Sequence, residues 1–332
     1  MLTTVAAGRV FDYSYCLGMY GMSGQGFWTP QDMALGSNGI VYVINRGAEE
    51  LGQRISRVTL DHQFLGQFGA FGRGDGQFVW PRAIALDGDD NVFATDDFLN
   101  RVSIFDPDGA FVSSWGVAGS GEGQLNGAAG IAFDGDGNVV VVDSMNHRVQ
   151  RFTRDGEYLG GFGSHGSGDG EFDMPWGLTI GSDDAIYVAD WRNNRVQKFD
   201  GDGNLLLKFE ASISGVGALE GPTGVAVDSE GDVYVTDWGA HLLQVYASDG
   251  RFITSLVGDA QQPSPWTQIY IDANPDIVKA RRRVDLTPEW RFRRPVAVKV
   301  DENDSIYVLE AARHRLQVYD KVKDYEEHPL NL

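Results

Sequence analysis

The stretch "GAAGIAFDGDGNVVVVDSMNHRVQRFTRDGEYLGGFG", residues 127–163, decides the fold. "GIAF" alternates in polarity, "DGDGN" is a turn rich in Asp and Gly, "VVVVD" is strand-forming, "RVQRF" alternates again, "RDG" is a second turn and "EYLGGF" a fourth strand. Period-two patterning broken about every ten residues by Asp-Gly turns predicts short antiparallel strands rather than helices.

The same pattern returns without gaps in "WPRAIALDGDDNVFATDDFLNRVSIFDPDGAFVSSWG", "MPWGLTIGSDDAIYVADWRNNRVQKFDGDGNLLLKF" and "GPTGVAVDSEGDVYVTDWGAHLLQVYASDGRFITSLVG", so that Pro81, Ala128, Pro175 and Pro222 fall 47 residues apart. Diverged copies flank these four, starting at Pro30 and Pro295. A four-stranded unit repeated every 40 to 50 residues is a propeller blade. The last copy ends after its third strand, "RLQVYD", and residues near 9 to 18 carry a fourth-strand pattern. We therefore expect one all-β domain over residues 1–332, a six-bladed β-propeller closed by its N-terminal strand in the last blade, which leaves no open sheet edge.

The runs "NHRVQRF", "NNRVQKF" and "RHRLQVY", each following a strand that ends in an acid, resemble the NHL repeat family. The resemblance spans nearly the whole chain and implies the propeller, but fold alone does not set function. The family includes a peptidyl-hydroxyglycine amidating lyase, whose zinc-binding histidines stand beside the repeated Pro. Here those places read "PQD", "PRA", "AAG", "PWG", "PTG" and "PVA", without His, so that this family's zinc-lyase activity is not expected.

The net charge of −20 argues against nucleic-acid and anionic membrane partners. No apolar run is long enough for a membrane helix, and "MLTTVAAGRVFDYSY" does not read as a secretory signal, so a cytoplasmic protein is expected. Cys16 is the single cysteine, and no dinucleotide fingerprint is present. The expected cofactor is therefore none, or one divalent metal such as Ca or Zn in the channel, with no nucleotide.

Each blade ends its second strand on a polar residue, Asn45, Asp96, Asp143, Asp190, Asp237 or Glu310, followed at a fixed interval by Arg54, Arg101, Arg148, Arg195, Leu242 or Arg315. Residues that recur with the repeat are expected to cap loops and pair with their own Arg. His147, His241 and His314 share one repeat position and are read as structural, whereas His165, in a Gly-rich loop, is an acid-base candidate. Asp237 is a second candidate because Leu242 replaces its usual Arg. Asp32, Asn45 and Glu310 are weak candidates for a calcium site of lactonase type.

Function is sought where the copies differ. The residue after the repeated acid reads Arg46, Asp97, Ser144, Trp191, Trp238 and Ala311; the residue after the repeated Pro reads Gln31, Arg82, Ala129, Trp176, Thr223 and Val296. Both columns are expected at the channel mouth, where Trp176, Trp191 and Trp238 would supply aromatic walls, Arg46, Arg82 and Arg192 anion anchors, and Asp97 a base.

From Pro222 to Pro295 the spacing exceeds the period by 26 residues. The excess ends in "NPDIVKARRRVDLTPEWRFRRP", residues 274–295, whose Asn-Pro and Thr-Pro steps predict helix starts. Residues 259–294 carry seven basic and five acidic side chains, against −22 for the remainder, and are expected to form a partly helical lid with Arg282 reaching toward the channel. The expected function is a lyase or hydrolase of acid-base type, or a binder, for a small anionic or aromatic molecule. A protein-interaction platform is the alternative.

Overall fold

The computed structural model describes residues 2–48, 51–210 and 215–323. Five four-stranded antiparallel sheets begin at Pro30, Pro81, Ala128, Pro175 and Pro222, one per repeat. The sixth blade takes three strands from Pro295–Val300, Ser305–Glu310 and Arg315–Lys321, and its fourth from Arg9–Leu17. Closure runs from Phe11 opposite Lys321 to Leu17 opposite Leu316. The chain is a six-bladed β-propeller, as the repeat predicts. A fifth strand, Thr3–Ala6, adds outside Arg9–Leu17 through a tight turn at Ala7 and Gly8, both at positive φ. The sequence reading assigned no strand there.

A salt clasp holds the closure. Lys321 Nζ is 2.5 Å from Asp228, 2.8 Å from Glu230 and 2.8 Å from Asp232, and Arg9 reaches Asp232 at 2.9 Å. Both strands of the closing pair are thus tied, at the same end, to a turn of blade 5.

The repeated residues divide the remaining work. The second-strand acid or amide accepts the backbone N–H found 17 residues earlier, in the loop that enters the blade: Trp28 to Asn45, Val79 to Asp96, Asn126 to Asp143, Asp173 to Asp190, Glu220 to Asp237 and Arg293 to Glu310. Asp143, Asp190 and Glu310 also pair with Arg148, Arg195 and Arg315 at 2.8, 2.9 and 2.6 Å. Arg54 and Arg101 instead spend their donors on carbonyls of the entering loop. One further position in each loop is an apolar wedge between blades: Phe27, Phe78, Leu125, Phe172, Leu219 and Phe292 are all buried three residues before a blade starts.

A third device joins each blade to the next. Asn100, His147, Asn194, His241 and His314 all adopt the left-handed conformation, with φ between 53° and 62°. The side chain of each accepts the N–H of Gly127, Met174, Gly221, Arg294 or Thr29, the residue before the next blade. The three histidines accept through Nδ1 and must be neutral there, so their repeat position is structural.

The 26-residue excess forms three helices, α1 (Pro265–Asp272), α2 (Pro275–Arg281) and α3 (Thr287–Trp290). The helix starts hold, but the capping differs. Ser264 caps α1, while Asn274 donates to the Tyr270 carbonyl instead of capping α2. No helix among the described residues is long and apolar enough to cross a membrane.

Burial holds the His147 and His314 imidazoles below their ordinary value, with His165 adding to the effect at His147. A lowered folded-state value means that the unfolded chain takes up protons first. Their contribution is then complete above about pH 6.5 and shrinks as the pH falls from there toward the folded-state value. Urea unfolding at pH 7 and pH 5 should therefore show a loss of stability that the double variant His147→Asn, His314→Asn reduces. At pH 7, His147→Asn should be near neutral, and His147→Ala should cost about 1–2 kcal/mol through the lost bond and the left-handed backbone.

Candidate functional site

The innermost strands of neighbouring blades pack closely around the channel. A Cβ on Gly177 would stand 2.3 Å from the Thr223 carbonyl, and one on Gly130 would stand 2.8 Å from the Leu178 nitrogen. These glycines lie two residues after the repeated Pro or Ala, where the ladder register slips. The cavity in the channel holds about 30 Å³, space for one or two water molecules. It is lined by Gln31, Arg82, Trp176, Thr223 and Val296 from the second variable column, together with Asp32 and Lys299. A substrate has room at the mouth, not in the throat.

Arg82 is the unusual residue of this lining. It is 9% exposed, and its guanidinium carbon lies 3.3 Å from the centre of the Trp176 ring, so the two planes stack. It makes no hydrogen bond among the described residues, and its Nε is buried without a partner. The nearest carboxylate oxygen, on Asp97, is 4.0 Å from Nη1. Burial depresses the Arg82 pKa against the pull of Asp97, and Arg46 depresses it further. Burial likewise pushes the Asp97 carboxyl above its ordinary value, against the pull of Arg82 and Arg46. Burial thus disfavours the charged form of both groups, and such perturbed pairs in a cleft mark candidate functional sites.

Two aromatic arms extend from this pair. On one side Trp176 meets Trp191 edge-on at 5.3 Å, and Arg192 stands over Trp191 at 5.7 Å. On the other, Arg46 covers Trp80 at 4.6 Å, Trp80 meets Phe98 at 5.3 Å and Arg73 covers Phe98 at 5.0 Å. Trp80 and Phe98 are 45% and 41% exposed, a shelf open to solvent beside Arg82 and Asp97. Arg46, Arg82, Asp97, Trp176, Trp191 and Arg192 therefore form one continuous group. Trp238 lies apart, partly buried under Arg294 at 4.8 Å. The sequence reading had not singled out Arg73 and Phe98. Phe98 follows Asp97 directly, and that adjacency was the available signal.

The remaining expected residues are placed elsewhere. Asp237 is fully buried and accepts from the amides of Glu220 and Ala240 and from Gln244, so it is satisfied without an Arg. Asn45 and Glu310 are equally buried in their own loop caps. Asp32 accepts the amides of Met33 and Ile84 and faces Lys299 at 3.6 Å, so it ties blades 1, 2 and 6 together. These four do not converge on a common point, because each is held by the backbone of its own entering or neighbouring strand.

His165 lies on the rim between blades 3 and 4. Its ring centre is 4.3 Å from that of His147, and its Nε2 is 3.9 Å from Asp173, which Arg192 approaches at 4.0 Å. Among the described residues, His147, His165 and Asp173 are the one trio whose ligand atoms could surround a metal ion. His165 and Asp173 are free to do so. His147 could join only by giving up the Met174 bond at its Nδ1, because ligation through Nε2 would put a proton on Nδ1.

The insertion does not cover the mouth. Ser264 donates to the Gly18 carbonyl, Trp266 donates to the His62 carbonyl at 2.7 Å, and Cys16 donates to the Gln262 carbonyl at 3.3 Å. Trp266 is buried with Leu17 and Phe27 at the seam of blades 6 and 1. The apolar surface that receives the insertion is on the outer flank, and this corrects the expectation of a lid. Arg282 is exposed and lines no part of the channel, while Arg281 pairs within the insertion with Glu289 at 2.6 Å.

The fold and its comparisons agree on the class. The NHL repeat profile matches residues 125–152, 172–199 and 219–246, so the chain carries NHL repeats within its six blades. No curated protein sequence matches the chain. Among solved structures, a streptogramin B lyase superposes with a TM-score of 0.59 at 12% identity, covering 96% of this chain and 100% of its own. A catalytically inactive variant of virginiamycin B lyase from Staphylococcus aureus with quinupristin gives 0.58 at 14% identity, covering 94% and 100%. A protein of unknown function from Bacteroides thetaiotaomicron gives 0.62 at 18% identity, covering 95% and 76%. At such identities the likeness is one of fold.

A buried guanidinium without hydrogen bonds costs stability, and an apolar replacement removes that cost. Arg82→Leu should raise the unfolding free energy by about 1–2 kcal/mol, measured by urea titration. A loss of similar size would show that Arg82 is a structural residue.

Proposed function

We propose that the channel mouth between blades 1, 2 and 4 binds a small anionic or aromatic molecule and acts on it by acid-base chemistry, as a lyase or hydrolase. The observation that carries this reading is the state of Arg82: nine-tenths buried, stacked on Trp176 and lacking any hydrogen-bond acceptor within the described chain. Buried donors are normally satisfied, and an arrangement that leaves a planar fork of them uncommitted suits an anion. Asp97, partly exposed and 4.0 Å away, is the candidate base. Its burial-raised value keeps it a stronger base than a surface aspartate.

In this reading Arg82 would hold the substrate's negative group, or the charge that develops on it, and Trp176 would keep water from the face of the guanidinium. Asp97 would take a proton from the bound molecule. Arg46, over Trp80, would keep the pair from accumulating negative charge. The lyase names of the fold neighbours are compatible with this chemistry and belong to those proteins alone.

A protein-interaction platform is the second reading, carried by the exposed Trp80 and Phe98. The insertion does not separate the two readings, because it leaves the mouth open.

A thermal-shift screen of metabolites against the wild type and Arg82→Leu tests the proposal. Compounds that stabilise the wild type should lose most of their effect in the variant; equal stabilisation of both would place the site elsewhere. For any compound that is turned over, kcat/KM should rise with pH through an ionisation above the ordinary aspartate value of about 3.9, and Asp97→Asn should remove that limb.

A further inference from the structure

The geometry points to an aromatic monocarboxylate as the ligand of this mouth, its carboxylate seated edge-on against Arg82 and its ring on the Trp80–Phe98 shelf; this rests on the reading of the mouth as a binding site. Three observations narrow the class.

The first is orientation. Because the guanidinium lies flat on Trp176 at 3.3 Å, one of its faces is occupied and its N–H groups point outward in the plane. A planar acceptor approaching in that plane makes two parallel bonds, and a carboxylate is such an acceptor.

The second is charge. Lys299 and Asp32 face each other at 3.6 Å and cancel. Around the mouth this leaves Arg46, Arg73 and Arg82 against Asp97, with Arg192 facing Asp173 at 4.0 Å, a positive surplus that favours an anion.

The third is space. The enclosed cavity of about 30 Å³ that Arg82 lines accepts the two oxygens of a carboxylate in place of one or two waters. Outside it the chain offers exposed aromatic faces, Trp80 and Phe98, close to Arg82 and Asp97 in sequence. An aromatic ring attached to the carboxylate would extend onto them.

The test uses phenylacetate, its neutral isostere phenylacetamide, and phenyl phosphate. Binding to the wild type, Arg82→Lys, Arg82→Leu and Phe98→Ala is followed by calorimetric titration and saturation-transfer NMR. Phenylacetate should bind the wild type at least tenfold more tightly than either of the other two. Arg82→Lys should cost at least tenfold, because an ammonium cannot make the two parallel bonds. Phe98→Ala should weaken phenylacetate severalfold and reduce saturation transfer to its ring protons.

Equal binding of phenylacetate and phenylacetamide, with both weakened by Phe98→Ala, would overturn the carboxylate and leave the mouth as an aromatic site. Tighter binding of phenyl phosphate would overturn it in favour of a phosphate. Phenylacetate binding that Arg82→Leu leaves unchanged, or its absence at about 10 mM, would overturn the inference. If in addition metabolites found by thermal shift stabilise Arg82→Leu as well as the wild type, the site reading falls with it.

Discussion

The structure depends on one interaction made six times: a buried carboxylate or amide at the end of the second strand accepts an N–H from the loop that brings the chain into the same blade. A propeller must route its chain across the top of the ring at every blade, and that crossing exposes backbone groups with no sheet to pair with. The carboxylate satisfies them from below, and the repeated Arg satisfies carbonyls of the same crossing in the blades that have it. With the crossings fixed, the apolar residue three places before each blade can wedge between neighbours, and the left-handed Asn or His can reach across to the next blade.

That economy explains which residues are free to bind something. Asp237 reads as an acid-base candidate and Glu310 as a metal ligand in the sequence, yet both are fully consumed by the crossing they cap. At Asp237 the missing Arg leaves no unpaired acid, because Gln244 stands two residues further along the third strand and turns its amide onto the carboxylate at 2.9 Å. The residues one place further on, Arg46, Asp97 and Trp191, have no part in the cap and differ from blade to blade. The same holds for Arg82 and Trp176 after the blade-initial Pro.

The blade count, the closing strand and the two variable columns were legible in the sequence because each rests on a local period: alternation along strands, Asp-Gly at turns, and a fixed offset from a repeated residue. The course of the insertion was not legible. Its docking depends on Cys16, Gly18, Phe27 and His62, which come from the opposite end of the chain and meet only when the ring closes. An excess of arginine over an acidic ring suggested a cap over the channel, but the buried Trp266 side chain decided the position. Exposed pairs between charged groups contribute little beside an aromatic residue of that size. The strand Thr3–Ala6 was missed for a related reason, since four residues next to an Ala-Gly turn carry too little pattern to stand out.

The throat of the ring limits where chemistry can occur. Glycine at the third place of blades 3, 4 and 5 lets the inner strands of neighbouring blades pack where a Cβ would collide with the backbone of the next blade, as at Gly177 against Thr223. The cavity left in the channel holds about 30 Å³. Whatever binds must then meet the ring at its mouth, where only side chains outside the caps are available. A cation buried at that boundary is held by its stack on Trp176 and by a distant carboxylate, with its donors directed into the small space that remains. A purely structural ring would gain from leucine there, so the presence of arginine is best explained by a ligand that completes its coordination.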